Sequence, residues 1–207
     1  MPTLDDTTLM TLLAAGILAV VAIGLVLVRR HAQRLHDRLA PAFELGTTRR
    51  ASSLPPAVEG LFHGYVCRYA IEQRSQYSAG GATLRIRVAS PLKWSAARKG
   101  LGSALLASVG ILRDLAIGDA ELDAQLRLSA GDAPMLVSLL GQERTRTALR
   151  ALADSEGFAS ITVRAQRADV KWAPRRPELD ENPEALRRRL SAAVDLLAAC
   201  GCPPLMG

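Results

Sequence analysis

Leu9 to Val28 reads LMTLLAAGILAVVAIGLVLV, twenty residues without a charge and with Thr11 as the only hydroxyl. Twenty helical residues at ~1.5 Å each cover about 30 Å, the thickness of a bilayer's hydrocarbon core. A helix satisfies its own backbone hydrogen bonds and can therefore cross lipid. Two rival readings fit less well. A cleaved signal peptide needs a basic start, a shorter apolar stretch and a small-x-small cleavage site. Here Asp5 and Asp6 precede the run, and Arg29-Arg30 follows it directly. A buried helix of a globular core normally shows a polar face, and this run has none. The segment is read as an uncleaved transmembrane helix over 9–28, with 1–8 as an external N-terminus.

The flanking charges set an expected orientation. Residues 29–56 carry Arg29, Arg30, Arg34, Arg38, Arg49 and Arg50 against Asp37 and Glu44. Arginine is retained on the cytoplasmic side, so the C-terminal domain is expected in the cytoplasm. The abundance of Arg and Ala points to a bacterial chain and hence to the inner (plasma) membrane. Arg29, Arg30, Arg34 and Arg38 are the expected lipid-headgroup contacts. Much of the net charge of +6 thus lies beside the membrane, which favours anionic lipid over nucleic acid as a partner. An aromatic content of 4% leaves little with which to stack bases. Ala15 and Ala19, with Gly16 and Gly24 nearby, have the small-residue spacing that lets two membrane helices approach closely. That spacing leaves a homo-oligomer open beside the plainer reading of ordinary membrane-helix composition.

After the membrane, Ala32, Leu35, Leu39 and Phe43 recur at helical spacing, so the helix is expected to continue to Phe43. It would lie along the headgroups or serve as a stalk. Glu44 to Pro56 is a linker by composition, and Arg49-Arg50-Ala51-Ser52 within it resembles a basic-directed kinase site. The boundaries are therefore 29–56 for a basic juxtamembrane helix and linker, and 57–207 for one folded domain. A 49% hydrophobic fraction permits a packed core of that size and argues against disorder.

Within the domain, Leu61 to Ile71 and Ala82 to Ala89 read as strands joined through Ser78-Ala79-Gly80-Gly81. Leu84, Ile86 and Val88 alternate with Arg85 and Arg87, so one face should be buried and one wet. Pro91 to Ala96 is a third candidate strand. Leu101 to Leu112 is too short to span a bilayer and reads as a buried helix, a buried strand or an interfacial segment; Lys93, Trp94, Arg98 and Lys99 just before it keep the last option open. Gln125 to Ser129 is a strand, and Asp132 caps a helix with Pro134 in its first turn. That helix breaks at Gly141, and a second runs to about Ala153. Ile161–Arg164 and Val170–Ala173 form a hairpin. Asn182-Pro183-Glu184 starts a last helix with Leu186, Leu190, Ala193, Val194 and Leu197 on one face, stopped by Gly201. Hairpins interspersed with helices imply antiparallel pairing and an α+β class.

Candidate sites are few. Asp114, Asp119, Glu121 and Asp123 form an acidic patch. If Asp119 and Asp123 start a short helix, their i, i+4 spacing puts both on one face, where they could hold a divalent cation. The competing reading makes Gly118-Asp119 a turn and N-cap, with the other acids solvated. Cys67, Cys200 and Cys202 are odd in number, which is no disulfide framework and fits a reducing compartment. Cys200-Gly201-Cys202 lacks the C-x-x-C spacing of zinc and redox motifs. His31 and His36 fall on different faces of one helix. His63 and Cys67 would lie about 13 Å apart along one strand. Arg187-Arg188-Arg189 is a solvated face or a phosphate or lipid contact. Gly80-Gly81 and Gly100-x-Gly102 lack the spacing of phosphate loops.

Gly118-Asp119-Ala120-Glu121-Leu122-Asp123, an alternating strand, Asp132, Leu139-Leu140 and Arg146 to Leu149 together resemble an uncharacterised group of bacterial membrane-anchored proteins. Their pattern is similar to Gly-Asp-x-x-Phe-Asp, a strand, then a helix with paired leucines; Leu122 stands at the Phe position. The resemblance implies a structural signature in which the Gly-Asp acids hold a turn, with no activity or ligand attached. The sequence therefore leads to a single-pass membrane protein whose cytosolic domain binds or scaffolds a protein partner, with no assigned catalytic residue and no cofactor. The alternative is a metal-assisted hydrolase acting near the membrane through Asp119 and Asp123.

Overall fold

The computed structural model describes residues 6–49, 57–72, 80–100 and 114–205. Helix α1 spans Asp6–Leu39 without a break. Its 34 residues measure about 51 Å at ~1.5 Å each, longer than a bilayer core. An apolar window within Ala14–Ala42 has mean hydropathy 1.7, and none of it is buried by the protein. Ile17, Leu18, Val20 and Leu25 are all exposed. A helix that is apolar all round and bare needs lipid or another protein to cover it.

The other end of α1 behaves differently. Leu35 and Leu39 are buried in the main core, followed by Ala42 and Phe43 in and after a 3-10 turn at Ala40–Ala42. Burying a leucine stabilises by roughly 1.5–3 kcal/mol, so the juxtamembrane stretch is a structural part of the domain. The expected face of Leu35, Leu39 and Phe43 is present, and it meets protein where headgroup or stalk was anticipated. Gly60 makes room for this: a Cβ there would come within 2.8 Å of the Phe43 ring.

Among the described residues, eight strands form a single sheet: β1 (Leu45–Arg49), β2 (Ala57–Phe62), β3 (Tyr65–Glu72), β4 (Gly81–Arg87), β5 (Trp94–Arg98), β6 (Leu126–Ala130), β7 (Phe158–Arg164) and β8 (Arg167–Trp172). Their spatial order is β1-β2-β3-β4-β8-β7-β5-β6, and every pairing is antiparallel. The remaining helices among the described residues are α2 (Ala120–Gln125), α3 (Ala133–Leu140), α4 (Glu143–Ala153), α5 (Pro177–Asp180) and α6 (Pro183–Ala199). The chain is thus α+β, an N-terminal apolar helix followed by an antiparallel sheet with packed helices.

Several boundaries differ from the sequence expectation for local reasons. Leu45–Arg49 was a linker by composition but pairs with β2 as an edge strand; backbone pairing supplies what its Gly and Thr residues do not advertise. Leu61 to Ile71 is two strands, because the chain turns at His63-Gly64 with φ of +49° and +82°. Positive φ at both central residues matches the right-handed twist of the flanking strands. Glu44 braces the turn, its carboxylate accepting from the His63 N–H at 2.8 Å. Trp94–Arg98 is shifted toward its C-terminus relative to the expected strand. Leu101 to Leu112, and the linker from Arg50 to Pro56, lie outside the described residues.

One face of the sheet is packed. Tyr65, Cys67, Tyr69, Leu84, Ile86, Val170 and Trp172 share a core with Leu136 and Leu140 of α3, Leu149 and Leu152 of α4, and Leu186, Leu190 and Leu197 of α6. The other face carries the alternate residues, charged and hydroxyl side chains for the most part, with Leu61, Val66, Ala70 and Ala97 among them.

Candidate functional site

The acidic patch resolves into a clasp. Asp119 caps α2, its carboxylate accepting from the Leu122 N–H at 3.2 Å. Its second oxygen accepts from Arg150 of α4 at 2.7 Å. Asp123 turns the other way: its two oxygens accept from the N–H groups of Ile117 (3.0 Å) and Gly118 (3.1 Å). Gly118 has φ +77°, a conformation glycine adopts at no steric cost. Asp114 accepts from the Leu128 N–H and lies 3.0 Å from the Lys99 ammonium, which itself donates to the Asp123 carbonyl. Asp119 and Asp123 are therefore near in sequence but committed to different partners. Their geometry ties α2 to α4 and to the turn before it.

The arginine run separates into two parts. Arg187 and Arg188 are exposed on α6, whereas Arg189 is buried. Its guanidinium donates to Asp180 at 2.8 Å, to the Tyr69 hydroxyl at 3.1 Å and to the Glu156 carbonyl at 3.2 Å. It also lies over the Trp172 ring, 4.8 Å from the centroid, a favourable place for a cation. Sequence reasoning treated Arg187 to Arg189 as one unit. The available signal was register: Arg189 falls three residues after Leu186 and four before Ala193, on the buried stripe.

The cysteines are buried free thiols. Burial pushes Cys67 and Cys200 up to about 12, so both stay protonated and unreactive near neutral pH. Cys202 is raised for the same reason. His63 occupies a hairpin turn, its ring 4.5 Å from Phe62 and its Nε2 3.3 Å from Glu44; Cys67 lies within β3 in the core, so the two form no site. Among the arginines expected at the headgroups, Arg38 also donates to Glu181 at 3.1 Å, fastening the end of α1 to the start of α6.

The open sheet face holds charges that sequence reading left unassembled. Cross-strand register places Glu59, Arg68, Arg85, Asp169, Thr162, Ser95 and Ser129 in one transverse row. Asp169 accepts from Arg85 at 2.7 Å and lies 3.2 Å from the Arg167 Nε. The adjacent row places Arg87 opposite Arg167, and Arg167 opposite Arg164. An open trough of about 630 Å³ lies alongside, lined by Ser95, Ser129 and Thr162 with Lys93, Arg164 and Arg167.

No family model matches this chain, and no curated protein does. Among solved structures, the chain is similar to the crystal structure of the mycobacterial trehalose monomycolate transport factor A, TtfA. The TM-score is 0.48 and the identity 13%, covering 85% of this chain and 98% of that one.

Proposed function

We propose that this chain is a single-pass membrane protein whose domain, on the cytoplasmic side, binds and positions a protein partner at the membrane. The observation that carries the reading is α1 itself. Its N-terminal part is bare, apolar and long enough to cross lipid, while Leu35 and Leu39 of the same helix are core residues of the domain. A linker would let the domain swing freely; a continuous helix holds it at a set distance and attitude, which suits assembly. Arg29, Arg30 and Arg34 are exposed just past the apolar run, where they support headgroup contact and the inward orientation. The acids that a hydrolase would need are committed to N–H groups, Arg150 and Lys99, so no observation favours that alternative.

The test is co-purification of C-terminally tagged full-length protein from native membranes in mild detergent, with an anchor-only chain as control. A stoichiometric companion absent from the control is the expected result. A monodisperse protein that carries nothing the control lacks would sink the reading. A C-terminal reporter active only outside the cytoplasm would overturn the orientation.

A further inference from the structure

Arg87, Arg167 and Arg164 stand side by side on β4, β8 and β7. Residues directly opposite on neighbouring strands have Cβ atoms ~5 Å apart, and like charges placed so destabilise a sheet. The next row is compensated, with Glu59 and Asp169 flanking Arg68 and Arg85. In the arginine row Asp169 lies 3.2 Å from Arg167 while already bonded to Arg85. Arg87, Arg164 and Lys93 have no ion-pair partner among the described residues. The trough beside them is floored by the Ser95, Ser129 and Thr162 positions, hydroxyls that can donate to an anion.

We propose that this trough is the docking surface for an acidic peptide segment of the protein partner. The inference rests on the partner-binding reading above and adds the surface and its chemistry. Arginine forks grip carboxylates in pairs, and a row of them across three strands fits successive acidic side chains. Nucleic acid would want exposed aromatic platforms, and Trp94 is buried. The row lies at the sheet end where α6 finishes, marked by the Tyr65 hydroxyl on the Cys202 carbonyl.

The experiment uses full-length protein in phosphatidylcholine nanodiscs, titrated with a fluorescein-labelled poly-glutamate peptide and read by anisotropy at low salt. Wild type binds, more weakly as salt rises. Arg164→Glu/Arg167→Glu binds roughly tenfold or more weakly, while Arg187→Glu/Arg188→Glu, on the exposed side of α6, binds as wild type. Arg164→Thr, which removes repulsion, also weakens binding while melting no lower than wild type. No binding by wild type, or equal loss in both double variants, overturns the proposal. So does capture of phosphatidylglycerol vesicles through Arg164 and Arg167 when the peptide is not held. The partner-binding reading is judged apart from this: a companion that co-purifies equally with Arg164→Glu/Arg167→Glu leaves it standing and overturns the trough.

Discussion

Arg189 and Arg164 are the same residue type in opposite circumstances. Arg189 is buried, 5% exposed, and every direction its guanidinium points is answered: Asp180, Tyr69, the Glu156 carbonyl and the Trp172 face. Arg164 is exposed and stands opposite Arg167 with no counterion among the described residues. A charge cannot be kept in a core unless it is paired and hydrogen-bonded, so the interior enforces complete compensation. Water tolerates an uncompensated charge at small cost, so the surface can hold one in readiness for something else. The difference separates an arginine that builds the fold from arginines available for recognition.

The comparison breaks most sharply at its buried end. Arg189→Ala should cost about 3–5 kcal/mol, because Asp180 is left as an uncompensated buried charge. Replacing both partners, as Arg189→Met with Asp180→Leu, should cost much less than either single change. Thermal and chemical unfolding of the full chain in detergent reads both; a cheap single variant would show that the network is ornamental. Leu39→Ala should cost about 2–5 kcal/mol as a large-to-small change at a fully buried position. The same melts decide it, and a negligible effect would return Leu39 to a stalk outside the fold.

Smaller effects test the clasp and the open face. Asp119→Ala removes a helix cap and the Arg150 contact, and should cost about 1–2 kcal/mol. Stability that instead depends on added magnesium or calcium, and loses that dependence in this variant, would revive a metal role. Arg164→Thr should have the opposite sign, raising stability by up to about 1 kcal/mol through relief of like charge. A clear loss of stability there would mean that Arg164 is structurally compensated after all, and the contrast with Arg189 would collapse.

Much of the architecture was legible because it rests on local rules. The apolar run needed only length and composition. Asp132 caps its helix by accepting from the Met135 N–H at 3.0 Å, and Asn182 does the same for Glu184 and Ala185. Pro183 and Gly201 mark the ends of α6 as expected from their backbone preferences. The elements that were missed depend on partners distant in sequence. β1 is a strand because β2 lies beside it, and the His63-Gly64 turn was hidden inside an apolar run whose alternation reads through the bend.

The candidate site divides along the same line. Sequence alone determined that a twenty-residue segment is apolar and long enough to cross a membrane, that the domain after it is α+β, and that Gly118-Asp119 suits a turn and N-cap. Each follows from properties of neighbouring residues: hydropathy, periodicity, capping. Only the tertiary structure decided that Arg189 is interior while Arg187 and Arg188 are not, that Leu35 and Leu39 belong to the core, and that Arg87, Arg164 and Arg167 share a row. Arg87 lies 80 positions from Arg167, and only strand register, set by which faces bury their apolar side chains, brings them together.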